Sequence, residues 1–100
     1  MLSLNHNMKT YTASHLSQGN RIFACKITIG DKGITLKVPG LFSGKETTVL
    51  YNHISAVDIE CPMIGFSTIF IETTGEGKIT AHGFTKAEVT EMKEMILERM

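Results

Sequence analysis

Between Phe23 and His82 apolar residues recur at alternate positions in short runs, and beyond Thr85 they recur every three or four positions. Nothing else in the chain narrows the fold so far. A period of two marks strands buried on one face, and a period near 3.6 marks a helix with one apolar stripe. Phe23, Cys25, Ile27 and Ile29 share one parity while Lys26 and Thr28 take the other. Gly30-Asp31-Lys32-Gly33 reads as a tight hairpin turn with glycines able to take positive φ. Ile34, Leu36 and Val38 then alternate with Thr35 and Lys37 until Pro39-Gly40 ends the run, since proline removes a ladder donor. The same reasoning predicts strands over 21–29, 33–38, 45–51, 55–60, 67–73 and 78–82. Residues 1–20 are polar, and their weak alternation between Lys9 and Leu16 allows at best one edge strand. They read as a flexible segment over 1–8 ahead of a single domain over 9–100.

The change of period at the end of the chain is punctuated by Thr85-Lys86-Ala87-Glu88. This is a capping box, in which the threonine hydroxyl and the glutamate carboxylate each satisfy an orphan N–H at a helix start. Phe84 and Val89 stand where a hydrophobic staple would join them. Val89, Met92, Ile96 and Met100, with Met95 beside them, form one apolar stripe on a helix predicted over 86–99. A single stripe needs something to cover. The expected fold class is therefore mainly β with one helix (α+β): about seven antiparallel strands, bent into a sandwich or barrel and capped by a C-terminal α-helix. Its core should hold Phe23, Ile27, Leu36, Val57, Ile59, Ile69, Ile71, Val89, Met92 and Ile96.

The run from Lys37 to Ile54 contains Gly40-Leu41-Phe42, then a threonine-rich strand, then an isoleucine after a turn. It continues through Ser55-Ala56-Val57-Asp58-Ile59, Gly65 to Gly75, a short strand and the terminal helix. This sequence of features resembles bacterial pleckstrin-homology-like domains over about residues 21–100. The resemblance implies a PH-like barrel of seven strands capped by one helix, used as a scaffold for lipid headgroups, peptides or sister subunits. Its motifs concern packing and turns, and fold does not fix function. In relatives that bind phosphoinositides a basic cluster fills the loop between the first two strands. The equivalent loop here, Ser17-Gln18-Gly19-Asn20, has no cation, with Lys9 and Arg21 only at its flanks. Neighbouring loops add Lys37, Lys45 and Lys78, but also Glu46, Glu72 and Glu76. Those five cations are the candidate anion or lipid contacts. Phosphate recognition wants convergent donors without adjacent carboxylates, so any headgroup binding is expected to be weak and salt-sensitive.

Ten Lys+Arg balance ten Asp+Glu, which leaves no global field to attract nucleic acid. No leader-like apolar core stands at the N-terminus, and no run approaches the roughly 18 apolar residues that span a bilayer. Two distant cysteines, Cys25 and Cys61, make no disulfide framework. A cytoplasmic setting is the expectation. His6, His15, His53 and His82 lack metal-ligand spacing, so no metal or cofactor is expected. A cysteine-dependent enzyme would recruit Cys61 with His53 or His82 as base and Asp58 as orienter, yet strand parity sends Cys61 inward with Val57 and Ile59. Gly75-Glu76-Gly77-Lys78 lacks the length of a phosphate loop and reads as a hairpin turn.

What remains is a non-enzymatic module that binds protein, a second copy of itself included, with a peripheral lipid-headgroup binder as the alternative. The loop Cys61-Pro62-Met63-Ile64-Gly65-Phe66 is more apolar than turn chemistry requires. If Ile69 and Ile71 face inward, Phe70 faces out, alongside Ala56, Asp58, Thr80 and His82. Phe70, Met63, Ile64 and Phe66 are accordingly the expected interaction surface, and a homo-oligomer built around Phe70 is the expected assembly.

Overall fold

The computed structural model describes residues 8–14, 25–38, 45–75 and 77–100. Within them the order is β1 (Lys9–Thr12), β2 (Lys26–Ile29), β3 (Gly33–Val38), β4 (Lys45–Leu50), a 3₁₀ turn (Tyr51–His53), β5 (Ile54–Glu60), β6 (Ser67–Thr73), β7 (Lys78–Phe84) and α1 (Lys86–Arg99). Two antiparallel sheets result, β1-β2-β3-β4 and β5-β6-β7. The fold is thus mostly antiparallel β with one C-terminal helix. Phe23, Arg21, His6 and His15, the loop over 17–20 and nearly all of the segment over 1–8 lie outside the described residues.

Register sorts the first sheet into rows. Lys9, Ile29, Ile34 and Val49 form one inward row, and Tyr11, Ile27, Leu36 and Thr47 the next. Between them, facing out, stand Thr10, Thr28, Thr35 and Thr48, one from each strand. Their hydroxyls pair two by two, Thr10 with Thr28 and Thr35 with Thr48, each at 2.9 Å. β-Branched residues suit an exposed pleated face, and cross-strand hydroxyl pairs add to its stability. The last outward row is Thr12, Lys26, Lys37 and Glu46.

β7 runs across the end of the sheet that carries this last row. The β6–β7 register slips so that Thr68 pairs with His82 and Ser67 with Phe84. Gly83 is the extra residue, at φ 115°, a conformation open to glycine. The bulge frees its carbonyl, which accepts a hydrogen bond from the Ser14 N–H at 2.8 Å and ties the tail of β1 to β7. At the other end of β7, Lys78, Ile79 and Thr80 border Leu36 and Val38 of β3 and Lys45 and Thr47 of β4.

The helix covers the core. Thr85 accepts from the Glu88 N–H at 3.1 Å while its own N–H donates to the Glu88 carboxylate at 2.8 Å, so the capping box closes as expected. Val89, Met92 and Ile96 are fully buried, as is Phe84 just before the helix, and α1 packs on β5, β6 and β2. Ile27, Val57, Ile69 and Ile71 are buried as the parity argument requires.

Several expectations need correction. Leu36 and Ile59 only half enter the core, Leu36 because it borders the open side between β3 and β7, Ile59 because it lies near the end of an edge strand. Met100 is exposed: it follows the last helical residue, beyond the stripe. Tyr51 leaves β4 for the 3₁₀ turn, where its buried ring sends the hydroxyl to the Gly30 carbonyl at 2.5 Å. β7 reaches Phe84 because the bulge lets it continue. Gly30 and Gly33 do not take positive φ. Gly33 is needed for a different reason: a Cβ there would be driven into the Val49 carbonyl oxygen and would stand 3.0 Å from the Leu50 Cα of the neighbouring strand.

Candidate functional site: the outer face of the second sheet and its two ends

Register turns the outer face of β5-β6-β7 into a grid of three rows. Glu60, Thr68 and His82 form the row nearest the β5–β6 connection; Asp58, Phe70 and Thr80 the middle row; Ala56, Glu72 and Lys78 the far row. Phe70 is therefore the central residue of the central strand, and it faces outward as the parity of Ile69 and Ile71 demands. It is half-buried rather than bare. The Lys78 ammonium stands 5.5 Å from the centre of its ring, a cation–π contact that at exposed sites contributes about 0.5–1 kcal/mol. In the near row the Thr68 hydroxyl meets His82 Nδ1 at 2.7 Å. This pairing lets Thr68, buried at 8% exposure, satisfy its hydroxyl.

One end of the face carries the connection 61–66. Met63 and Ile64 are 102% and 91% exposed, the barest large apolar side chains among the described residues. Gly65, at φ 108°, lets the loop turn, with Phe66 half-buried at its return. Pro62 precedes this pair, and Glu60, two residues before it, is the nearest charge along the chain.

The other end carries a groove of about 310 Å³ between β7 and the ends of β3 and β4. Leu36, Val38 and Ile79 give it apolar walls, Thr47 and Thr80 supply hydroxyls, and Lys45 and Lys78 are its charged residues. Among the described residues its lining holds no carboxylate. Lys26 and Lys37, directly opposed in the outward row, lie at the same end of the first sheet. The structure thus gathers Lys37, Lys45 and Lys78, adds Lys26, which sequence reasoning missed, and sets Glu46 beside Lys37 and Glu72 beside Lys78. The signal for Lys26 was its outward parity opposite Lys37.

Lys9 does not join them. Its ammonium forms an ion pair with Glu91 on α1 at 2.6 Å and lies 5.2 Å from the Tyr11 ring centre. The Tyr11 hydroxyl donates to the same carboxylate at 2.6 Å and approaches the Met95 sulfur at 3.4 Å. Burial, then the neighbouring Glu91, raises the Tyr11 phenol well above the usual tyrosine range. The Lys9 and Tyr11 hydrogen bonds lower the Glu91 carboxyl. This cluster joins the first strand to the helix.

The catalytic candidates stand apart in role and direction. Asp58 is cross-strand neighbour to Phe70, and His82 directs Nδ1 at Thr68, both on the outer face. His53 sits exposed in the 3₁₀ turn, while Cys61 is half-buried against the core. Burial pushes the Cys25 thiol up, away from the thiolate that chemistry would need. Among the described residues no three His, Cys, Asp or Glu side chains gather as a metal would require, and no helix is long and apolar enough to cross a membrane. Comparisons with protein families, with curated proteins and with solved structures find no match to this chain.

Proposed function

We propose that this chain is a non-enzymatic, PH-like binding module whose partner is protein, in the first place another copy of itself. The observation that carries the reading is the adjacent pair Met63 and Ile64, standing almost wholly in water at the tip of the β5–β6 hairpin. Scattered apolar side chains need no explanation, but two neighbours at the outermost point of a hairpin are placed to insert into something. Phe70, at the centre of the adjoining face, extends the same surface. Equal numbers of acidic and basic residues leave little long-range repulsion between copies. Light scattering from the purified chain at rising concentration tests this. A particle mass above the monomer's 11.0 kDa is expected, and a monomer at high micromolar concentration would refute self-association.

A second reading, contact with anionic lipid headgroups, is favoured by the lysines gathered at the groove end, Lys26, Lys37, Lys45 and Lys78. Glu46 and Glu72 stand beside two of them, so weak attraction that fades with salt is expected. Sedimentation with anionic and neutral vesicles at low and physiological salt separates the readings: saturable, headgroup-selective binding at physiological salt would favour lipid over protein.

A further inference from the structure

The self-association reading leaves open how two copies meet, and the grid on the second sheet restricts the answer. We infer that two copies pack through the outer faces of β5-β6-β7 about a two-fold axis that lies in the face and passes through Phe70. The proposal rests on the self-association reading and adds a specific interface to it.

A two-fold contact must be self-complementary: whatever meets a given residue must itself be met by that residue on the partner. On the grid, Glu60 and Lys78 occupy diagonally opposite corners, with Phe70 midway between them. An in-plane axis through Phe70, square to that diagonal, exchanges the two corners. Glu60 of each copy then lies over Lys78 of the other, and the two Phe70 rings meet on the axis. Lys78 already leans over Phe70, which holds its ammonium above the face where a partner carboxylate would arrive.

The same operation places the hairpin tip. Strands lie about 4.8 Å apart and rise about 3.3 Å per residue. On that lattice Met63 and Ile64 project past the near row, between β5 and β6. Exchange across the axis carries them to a position just outside β7, level with Lys78 on the other copy. That position is where the groove lined by Leu36, Val38 and Ile79 opens. An apolar tip with Glu60 at its base would enter an apolar groove that carries Lys45 and Lys78 and, among the described residues, no carboxylate. Tip and groove match in polarity, Glu60 and Lys78 match in charge, and one axis satisfies both contacts twice. Asp58 and Glu72 fall near each other's partner copies under the same operation and oppose the association, so the dimer should be reversible.

Charge reversal tests the interface, with dissociation constants read by sedimentation equilibrium and folding checked by circular dichroism. Glu60→Lys and Lys78→Glu should each weaken the dimer about tenfold by setting like charges together at two symmetric places. The double variant Glu60→Lys/Lys78→Glu should recover most of the loss, which no defect of folding would do. Met63→Asp/Ile64→Asp should weaken it further, whereas Leu50→Asp, exposed on the other sheet, should leave it unchanged. A chain that stays monomeric at high micromolar concentration overturns both this interface and the self-association reading. An oligomer of undiminished strength in both single reversals, or a double variant no better than either, overturns the interface alone and leaves self-association standing.

Discussion

Replacing Gly33 by alanine isolates a steric requirement from a conformational one. Gly33 opens β3 opposite Leu50, and its φ is not positive, so alanine meets no backbone strain of its own. The added methyl group would instead overlap the Val49 carbonyl oxygen and press on the Leu50 Cα. Both obstacles are main-chain atoms of β4, which no rotamer change can move aside. Relief must come from parting β3 and β4 where they begin to pair. Overpacking of this kind costs about 1–3 kcal/mol, and weakening one adjoining ladder bond adds about 1 kcal/mol. The reduced entropy of the unfolded chain returns about 0.4–1 kcal/mol. A net loss of about 1–3.6 kcal/mol follows, equivalent to a fall in Tm of roughly 4–29 °C for a domain of this size. Gly75→Ala is the matched control, because nothing lies within 4 Å of a Cβ there and its φ is also not positive. Thermal unfolding followed by circular dichroism compares the two. A Gly33→Ala protein no less stable than Gly75→Ala would show that the strands part without penalty and would refute the reasoning.

Thr85→Ala removes one half of the capping box and should lower stability by about 1 kcal/mol, seen as a fall in Tm of about 4–8 °C. The raised Tyr11 phenol makes an alkaline prediction: the folded state holds that proton more tightly than the unfolded chain, so the associated stability is intact below about pH 10 and is lost as pH rises beyond it. Tyr11→Phe should flatten that decline in denaturant titrations run at stepped pH. Glu91 has the opposite sign, since its lowered carboxyl contributes stability above the ordinary carboxylate range that is lost as pH falls through the folded value. Lys9→Met should raise the Glu91 titration midpoint measured by NMR, and an unchanged midpoint would show that the ion pair does not lower it.

Most strands and the helix were legible because a buried face leaves a periodic trace. Ile27, Val57, Ile69 and Ile71 on the strands, and Val89, Met92 and Ile96 on the helix, occupy the places their spacing requires. Phe70 could be turned outward by the same parity, and Met63 and Ile64 could be set in a loop. What could not be read was whatever depends on how elements cross. Gly83 carries no local sign that it will bulge, because the slip falls where β7 pairs with Ser67 and Thr68 of β6 while its carbonyl meets Ser14 at the tail of β1. Lys9 looked like a free cation until the helix brought Glu91 to it. Lys78 looked like a loop cation until register set it over Phe70. The groove belongs to no single segment, since β3, β4 and β7 each supply part of its wall.

The meeting of Lys9 and Tyr11 with Glu91 joins positions separated by 82 and 80 residues. Closing a loop of that length costs about 2 kcal/mol more than closing one of eight residues, by the logarithmic growth of loop entropy. The hairpins, β1 with β2 among them, can therefore pair long before β1 finds the helix, and the side chains of the first strand gain their partner on α1 only when that helix has docked. During synthesis on a ribosome, Lys9 and Tyr11 must wait for the 82 and 80 residues up to Glu91 to emerge before their side chains find this partner. For that interval β1, the edge strand of its sheet, is held by its ladder to β2 without the helix to anchor it, and a strand edge so loosely held is open to pairing elsewhere.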